Sequence, residues 1–182
     1  MSASASLEHA LAHSDVLFTR EQLDTQIARM GKEIDTALAG ERPVFLTVMH
    51  GALIFASQLA LSIRTDLEFD YVHATRYRGE TRRADLHWLR RPEVPLNGRT
   101  VLLVDDILDE GHTLKSVRDA CIEMGAKRVL LAVLCTKLHD RRAEGIVADF
   151  NGVDLPDRYV FGYGMDYHEQ ARNLPAIHAL KD

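Results

Sequence analysis

Residues 100–134 constrain the fold more than any other stretch. Thr100-Val101-Leu102-Leu103-Val104 is an apolar run of strand length, and Asp105 to His112 is an acidic turn containing Gly111. Leu114, Val117, Cys121 and Met124 then recur at helical spacing before Gly125, and Val129 to Leu134 is a second apolar run. Strands this free of polar residues are buried on both faces. Two of them joined through one helix form a βαβ unit, which implies a parallel sheet and an α/β fold.

The flanking segments fit around that unit. Thr19 and Gln22 have capping-box spacing ahead of Leu23, Ile27, Met30, Ile34 and Leu38, a helical stripe that Gly40 ends. Val44 to Val48 reads as a buried strand, and Leu53 to Ile63 as a helix. Leu67, Phe69, Tyr71 and His73 alternate with Glu68, Asp70 and Val72, a strand with one more polar face. Residues 75–99 are arginine-rich and carry Pro92, Pro95, Asn97 and Gly98; so long a charged connection is functional or mobile. Residues 1–14 read as a loose N-terminal arm, residues 15–182 as one domain, and 150–182 as short strands and turns forming a small C-terminal hood.

Composition excludes several function classes. The 22 basic and 27 acidic residues give a net charge of -5, against the basic excess of a general nucleic-acid binder. No apolar run approaches the ~20 residues of a membrane span. The first residues lack the basic and apolar regions of a signal peptide, so the cytoplasm is the expected location. Cys121 and Cys135 read as buried thiols rather than a disulfide or zinc site.

The chemistry concentrates in Val104-Asp105-Asp106-Ile107-Leu108-Asp109-Glu110-Gly111-His112-Thr113-Leu114. Ligands of open α/β sheets bind at the carboxyl ends of strands, and a helix start offers unpaired N–H groups to a phosphate. Gly111 permits close approach, and the Thr113 hydroxyl adds a donor. The acids upstream suit a ligand bearing hydroxyls, or a divalent metal between phosphate and carboxylate. A sugar phosphate fits better than a bare polyphosphate. An acidic turn that merely caps a helix would carry the same residues. Neither G-x-x-x-x-G-K-[ST] nor G-x-G-x-x-G occurs.

VDDILDEGHTL resembles the PRPP-binding signature of the type I phosphoribosyltransferases. Further matches follow in order: His50-Gly51 after the first strand, Lys137 after the strand beyond the signature, Tyr159-Val160-Phe161-Gly162-Tyr163-Gly164-Met165-Asp166-Tyr167, and Arg172-Asn173-Leu174-Pro175. The similarity covers residues 15–180 and points to the hypoxanthine-guanine branch. It implies a parallel-sheet, Rossmann-like core with flanking helices, a flexible lid and a hood. It also implies transfer of phosphoribose from PRPP to N9 of a 6-oxopurine, with Mg²⁺ as cofactor and a homodimer or homotetramer as the assembly.

By that resemblance Asp105 and Asp106 meet the ribose hydroxyls and the metal, and Asp166 is a second metal carboxylate. The backbone of Glu110, Gly111, His112 and Thr113 holds the 5′-phosphate. Asp109 is the acid/base group near N7. Lys137 donates to the 6-oxo group, Tyr159 stacks on the purine and Val160 contacts its edge. His50, Gly51 and Arg172 bind pyrophosphate, and Thr75, Arg76 and Tyr77 open the lid. Taken alone, Lys137 reads as a surface lysine, whereas Asp109 fits an acid/base group and a helix-start acid equally, and Arg172 a phosphate ligand and a solvated charge equally.

Three positions depart from the family pattern. His50 stands where relatives carry Lys or Arg, in a loop where the family often has a cis peptide, making Met49–His50 the candidate bond. Glu110 replaces a hydroxyl residue and is expected to point outward. Arg76 also replaces a hydroxyl residue. Competing readings are a phosphoribosyltransferase for xanthine, adenine or orotate, a nucleotide-sensing RNA-binding regulator on the same fold, and a non-catalytic response-regulator-like module.

Overall fold

A computed structural model describes residues 6–76 and 86–181. Its centre is a six-stranded sheet, built from β2 (Val44–Val48), β3 (Glu68–Arg76), β4 (Leu86–Arg90), β5 (Thr100–Leu108), β6 (Arg128–Lys137) and β7 (Phe150–Leu155). The strand order is β4-β3-β2-β5-β6-β7. All neighbours pair in parallel except β3 and β4, which are antiparallel. The βαβ unit is β5, α4 (His112–Glu123) and β6, at the middle of the sheet. Both sheet faces are covered. The side chains of Phe45, Leu102, Val104 and Leu134 pack with α2 (Arg20–Ala37) and α3 (Leu53–Ser62). On the opposite face Val44, Leu46, Val101, Leu103 and Val133 pack against Leu114, Val117 and Cys121 of α4.

The capping box at Thr19 forms as the spacing predicts. The Gln22 N–H donates to Thr19 Oγ1, and the Thr19 N–H donates to Gln22 Oε1. Cys121 and Cys135 are free and buried. Burial pushes the Cys121 thiol up to about 11, and also raises that of Cys135, so both stay protonated and inert.

Four expectations are corrected. Residues 7–14 are no loose arm. Leu7–Ala12 form α1, capped by Ser6, and Ser14 opens β1 (Ser14–Phe18). The hood is a separate antiparallel sheet of order β1-β9-β8, so the N-terminal strand pairs with β9 (Ile177–Leu180), which pairs with β8 (Val160–Phe161). Residues 150–155, assigned to the hood from sequence, are instead the last parallel strand of the main sheet. Within 75–99, read as lid, β4 and the turn after it are fixed to β3. The Asp70 carboxylate accepts from Arg90 Nη1 (2.7 Å) and from the N–H groups of Glu93 (2.7 Å) and Val94 (2.9 Å). Thr75 and Arg76 lie at the end of β3, paired with His87 and Leu86, whereas Tyr77 falls outside the described residues.

The burial of β3 is also the reverse of the expected one. Val72 and Ala74 form the buried row, while Phe69 and Tyr71 are exposed. Phe69 touches only Phe45 among the rings described, because α3 covers the neighbouring β2 and leaves β3 open on that side.

Candidate active site

β5 does not stop where its apolar run stops. It continues through Asp105 and Asp106 to Leu108, still paired with β6 at Asp105↔Val133 and Ile107↔Cys135. The acidic turn read from sequence is therefore half strand, which carries two carboxylates into the sheet. The Asp106 N–H donates to Asp105 Oδ1 and the Ile107 N–H to Asp106 Oδ1, each at 2.9 Å. Burial pushes the Asp105 carboxyl well above the usual carboxylate range, and the adjacent Asp106 charge adds to this. Burial raises Asp106 too, against hydrogen bonds from Asp105 and the Ile107 N–H and the nearby Arg172 charge. A buried pair of this kind is poised to gain from a cation or from hydroxyl donors.

Gly51 closes over this pair. A Cβ at that position would lie 2.2 Å from Asp106 Oδ2, so the loop reaches the carboxylate only as glycine. The preceding Met49–His50 peptide is cis, the bond singled out from sequence. The His50 side chain turns elsewhere. Its ring meets His73 edge-on at 4.5 Å and lines a separate cavity of about 570 Å³ with Tyr71, Leu89, Arg90 and Glu93.

Asp109 is the first residue after β5 and carries two partners. Lys137 Nζ donates to Oδ2 at 2.7 Å from the end of β6, and His139 Nε2 lies 2.6 Å from Oδ1. Burial alone would raise the Asp109 carboxyl, but the hydrogen bonds from Lys137 and then His139 outweigh it and hold it below the usual range. Beyond Asp109, Gly111 adopts φ 77° and caps α4 without a side-chain bond, leaving the helix start open. Glu110 points outward, as expected, with its side chain 56% exposed.

One cavity of about 260 Å³ gathers Asp106, Ile107, Asp109, Lys137, Tyr159, Val160, Met165 and Asp166. Asp106, Ile107 and Asp109 come from β5 and its exit, Lys137 from β6, and the others from β8, the residue before it and the turn after it. The cavity is thus a seam between main sheet and hood. Tyr159 is half-exposed and sits edge-on to Tyr167 at 5.8 Å. Arg172 Nη2 pairs with Asp166 Oδ1 at 3.0 Å, and its Nη1 donates to the Gly164 carbonyl at 2.9 Å. Of the residues singled out from sequence, the cavity unites six: Asp106, Asp109, Lys137, Tyr159, Val160 and Asp166. Arg172 and Gly51 border it through Asp166 and Asp106. The His50 side chain does not join it.

His139, Ile107 and Met165 were not singled out. A lone histidine two residues past a strand carries no motif, and an Ile or a Met reads as core. Only the fold reveals that the His139 side chain is 2% exposed and aimed at Asp109.

Carboxylates at the carboxyl edge of a parallel sheet, an open helix start beside them and an ammonium–carboxylate pair under an aromatic hood define an anionic-sugar and heterocycle site. The phosphoribosyl transferase domain model matches residues 15–168, and the chain belongs to that family. It is 33% identical over 168 residues to the hypoxanthine-guanine phosphoribosyltransferase of Streptococcus pneumoniae, covering 92% of this chain and 93% of that one. The enzyme of the same name from Bacillus subtilis is 33% identical over 167 residues, covering 91% and 92%. Among solved structures, a hypoxanthine phosphoribosyltransferase from Staphylococcus aureus superposes with TM-score 0.88 at 29% identity, covering 98% of this chain and 96% of that one.

Proposed function

We propose that this chain is a hypoxanthine-guanine phosphoribosyltransferase of purine salvage, making IMP or GMP and pyrophosphate from PRPP and a 6-oxopurine. The observation that carries the reading is the Asp109–Lys137 pair, 2.7 Å apart, facing the same cavity as Asp106, Tyr159 and Asp166. An ammonium has only donors, so Lys137 suits a 6-oxo group and refuses an amino group. One of its three protons is held by Asp109, leaving others for the purine oxygen.

In this reading N9 bonds to ribose C1 as the bond from C1 to pyrophosphate breaks, and the leaving group takes the electron pair. The proton on purine N7 passes to Asp109, general-base catalysis by a positioned carboxylate. Tyr159 stacks on the base and the Val160 backbone meets its edge. The N–H groups from Glu110 to Thr113 receive the 5′-phosphate, and Gly51 with Arg172 faces the pyrophosphate. Asp105 and Asp106 accept from the ribose hydroxyls.

Mg²⁺ fits this donor set. Burial disfavours two adjacent carboxylate charges, and no cluster of three protein ligands occurs among the described residues. That matches an ion held by one or two carboxylates together with substrate phosphates. Asp105 and Asp106 at the end of β5, or Asp166 on the hood side, would hold such an ion together with substrate phosphates, and it would neutralise charge on the departing pyrophosphate.

No described helix is long and apolar enough to cross a membrane. A cytoplasmic place belongs to the same proposal. So does self-association, supported by exposed apolar side chains such as Leu61 and Phe69. The RNA-binding alternative is not favoured, since the relatives are enzymes by name and the net charge is -5. The test is steady-state nucleotide formation from PRPP and Mg²⁺ with hypoxanthine, guanine, xanthine and adenine, with Asp109→Asn as control. Expected are turnover of hypoxanthine or guanine, little with adenine, and a kcat loss of about 10²–10⁴-fold in the variant. No turnover by a folded protein with any base sinks the proposal.

A further inference from the structure

We infer that His139 is a positioning residue, which locks the Asp109 carboxylate in the orientation that faces the purine; the inference rests on the Asp109 role proposed above. Three observations converge on it. The imidazole is 2% exposed, so its place is set by packing and not by solvent. Its Nδ1 accepts from the Arg141 N–H at 3.1 Å, and a backbone amide only donates. The ring proton therefore sits on Nε2, which donates to Asp109 Oδ1 at 2.6 Å.

The loop that holds the ring is itself tied down. The Leu138 N–H donates to the Leu155 carbonyl, Arg141 makes a two-pronged pair with Asp157 at 2.7 and 2.8 Å, and Arg142 Nη2 donates to the Lys137 carbonyl. His139 thus stands on a fixed mount and acts on Asp109 from the side opposite Lys137. The two partners have unequal duties. Lys137 is a flexible four-carbon stem that must also serve the purine, so by itself it cannot fix the carboxylate plane. With His139 on Oδ1 and Lys137 on Oδ2, rotation about the Asp109 Cβ–Cγ bond is blocked. Each oxygen keeps one lone pair, and these are what the cavity receives. Acid–base transfer depends on such alignment to a fraction of an ångström.

The experiment compares kcat and KM for PRPP and hypoxanthine in the full chain and in His139→Leu, His139→Gln, His139→Asn and Asp109→Asn, each checked by circular dichroism and thermal melting. Gln places an amide N–H near the Nε2 position, Asn nearer Nδ1. His139→Leu is expected to lose about 10–100-fold in kcat, within the range set by acid–base alignment, while KM for PRPP moves less than about twofold. Gln should recover most of that loss and Asn little of it. A folded His139→Leu within about threefold of the parent kcat overturns the inference. So does a Gln variant no better than Asn, a comparison that stands even if the Leu variant fails to fold. Unimpaired Asp109→Asn would instead remove the proposed base itself, a separate failure.

Discussion

Asp109 holds a cation and a neutral donor at once, and Lys137 divides its protons between that carboxylate and the space before it. Replacing Lys137 by Gln tests both duties. A Gln amide presents an acceptor as well as a donor, so discrimination against adenine should relax. KM for hypoxanthine should rise by about tenfold to a hundredfold, the worth of a charge-assisted hydrogen bond. The acidic limb of kcat/KM should also move. Burial raises the Asp109 carboxyl and the Lys137 bond is the largest influence lowering it. Without that bond the base is protonated at a higher pH, so activity present above the limb is lost earlier as pH falls. An unmoved limb in the Gln variant refutes the assignment of that limb to Asp109. Gly51→Ala probes the second contact, because its Cβ would fall 2.2 Å from Asp106 Oδ2. Overpacking of this kind costs about 1–3 kcal/mol, to be read from denaturant unfolding, and PRPP turnover should fall with it. At this scale the sequence was partly legible. Asp105, Asp106 and Asp109 stood out through their spacing after an apolar strand. His139 did not, since its meaning lies in a 30-residue separation from Asp109 that only β5–β6 pairing closes.

The elements were legible wherever burial imposed a clean period. α2, β2, α3, α4 and β6 follow their apolar patterns closely. β5 ran past its apolar run because paired strand backbone accepts buried carboxylates when neighbouring N–H groups satisfy them. β7 was misassigned because Asn151 and Asp154 break its apolar run. In the fold it is an edge strand, with Asn151 bonded to Thr136 and Asp154. β3 misled through its aromatic residues, whose face is left uncovered. Its Asp70 offers an element-scale prediction. The side chain is 4% exposed and joins β3 to Arg90 of β4 and to the Glu93 and Val94 amides. Burial alone would raise its carboxyl. The Val94 N–H and Arg90 bonds lead the influences that outweigh this and hold it low. A depressed folded value stabilises the protein above the unfolded Asp pKa, about 3.9, and that stability is lost as pH falls through the lower folded value. Asp70→Asn should cost about 1–3 kcal/mol at pH 7 in urea unfolding. Its deficit should shrink below pH ~4, where the parent loses the same charge. A deficit constant from pH 7 to pH 3 would assign the effect to shape rather than charge.

At the scale of the molecule, the cavity exists only because the hood closes on the sheet. The hood is sewn by β1 and β9, from opposite ends of the described chain, while the base-facing residues ride on β8, the residue before it and the turn after it. That join was illegible in the sequence, because β1 (SDVLF) is short and its partner β9 lies at the far end of the described chain. The same view explains the open face of β3. Phe69 (61% exposed), Leu89 (58%) and Tyr71 are exposed on β3 and β4, as are Leu61 (84%) and Leu53 (53%) on α3. Singly exposed apolar residues are ordinary, so the proposed self-association is to be tested at the side chains exposed on α3 and β3. A two-fold pairing of copies would cover them with their own counterparts, since an isologous contact sets the same patch against its mate. Leu61→Glu and Phe69→Glu test this. Leu61→Glu should melt within a few degrees of the parent, while Phe69→Glu also loses its ring contact with Phe45 and should cost more. Each places a charge in the middle of the proposed seam, which should weaken self-association by at least about a hundredfold. Sedimentation velocity across the micromolar range then separates the outcomes. A parent dimer that becomes monomeric in both variants places the seam on α3 and β3. A parent that sediments as a monomer throughout, or variants as dimeric as the parent, rules that face out.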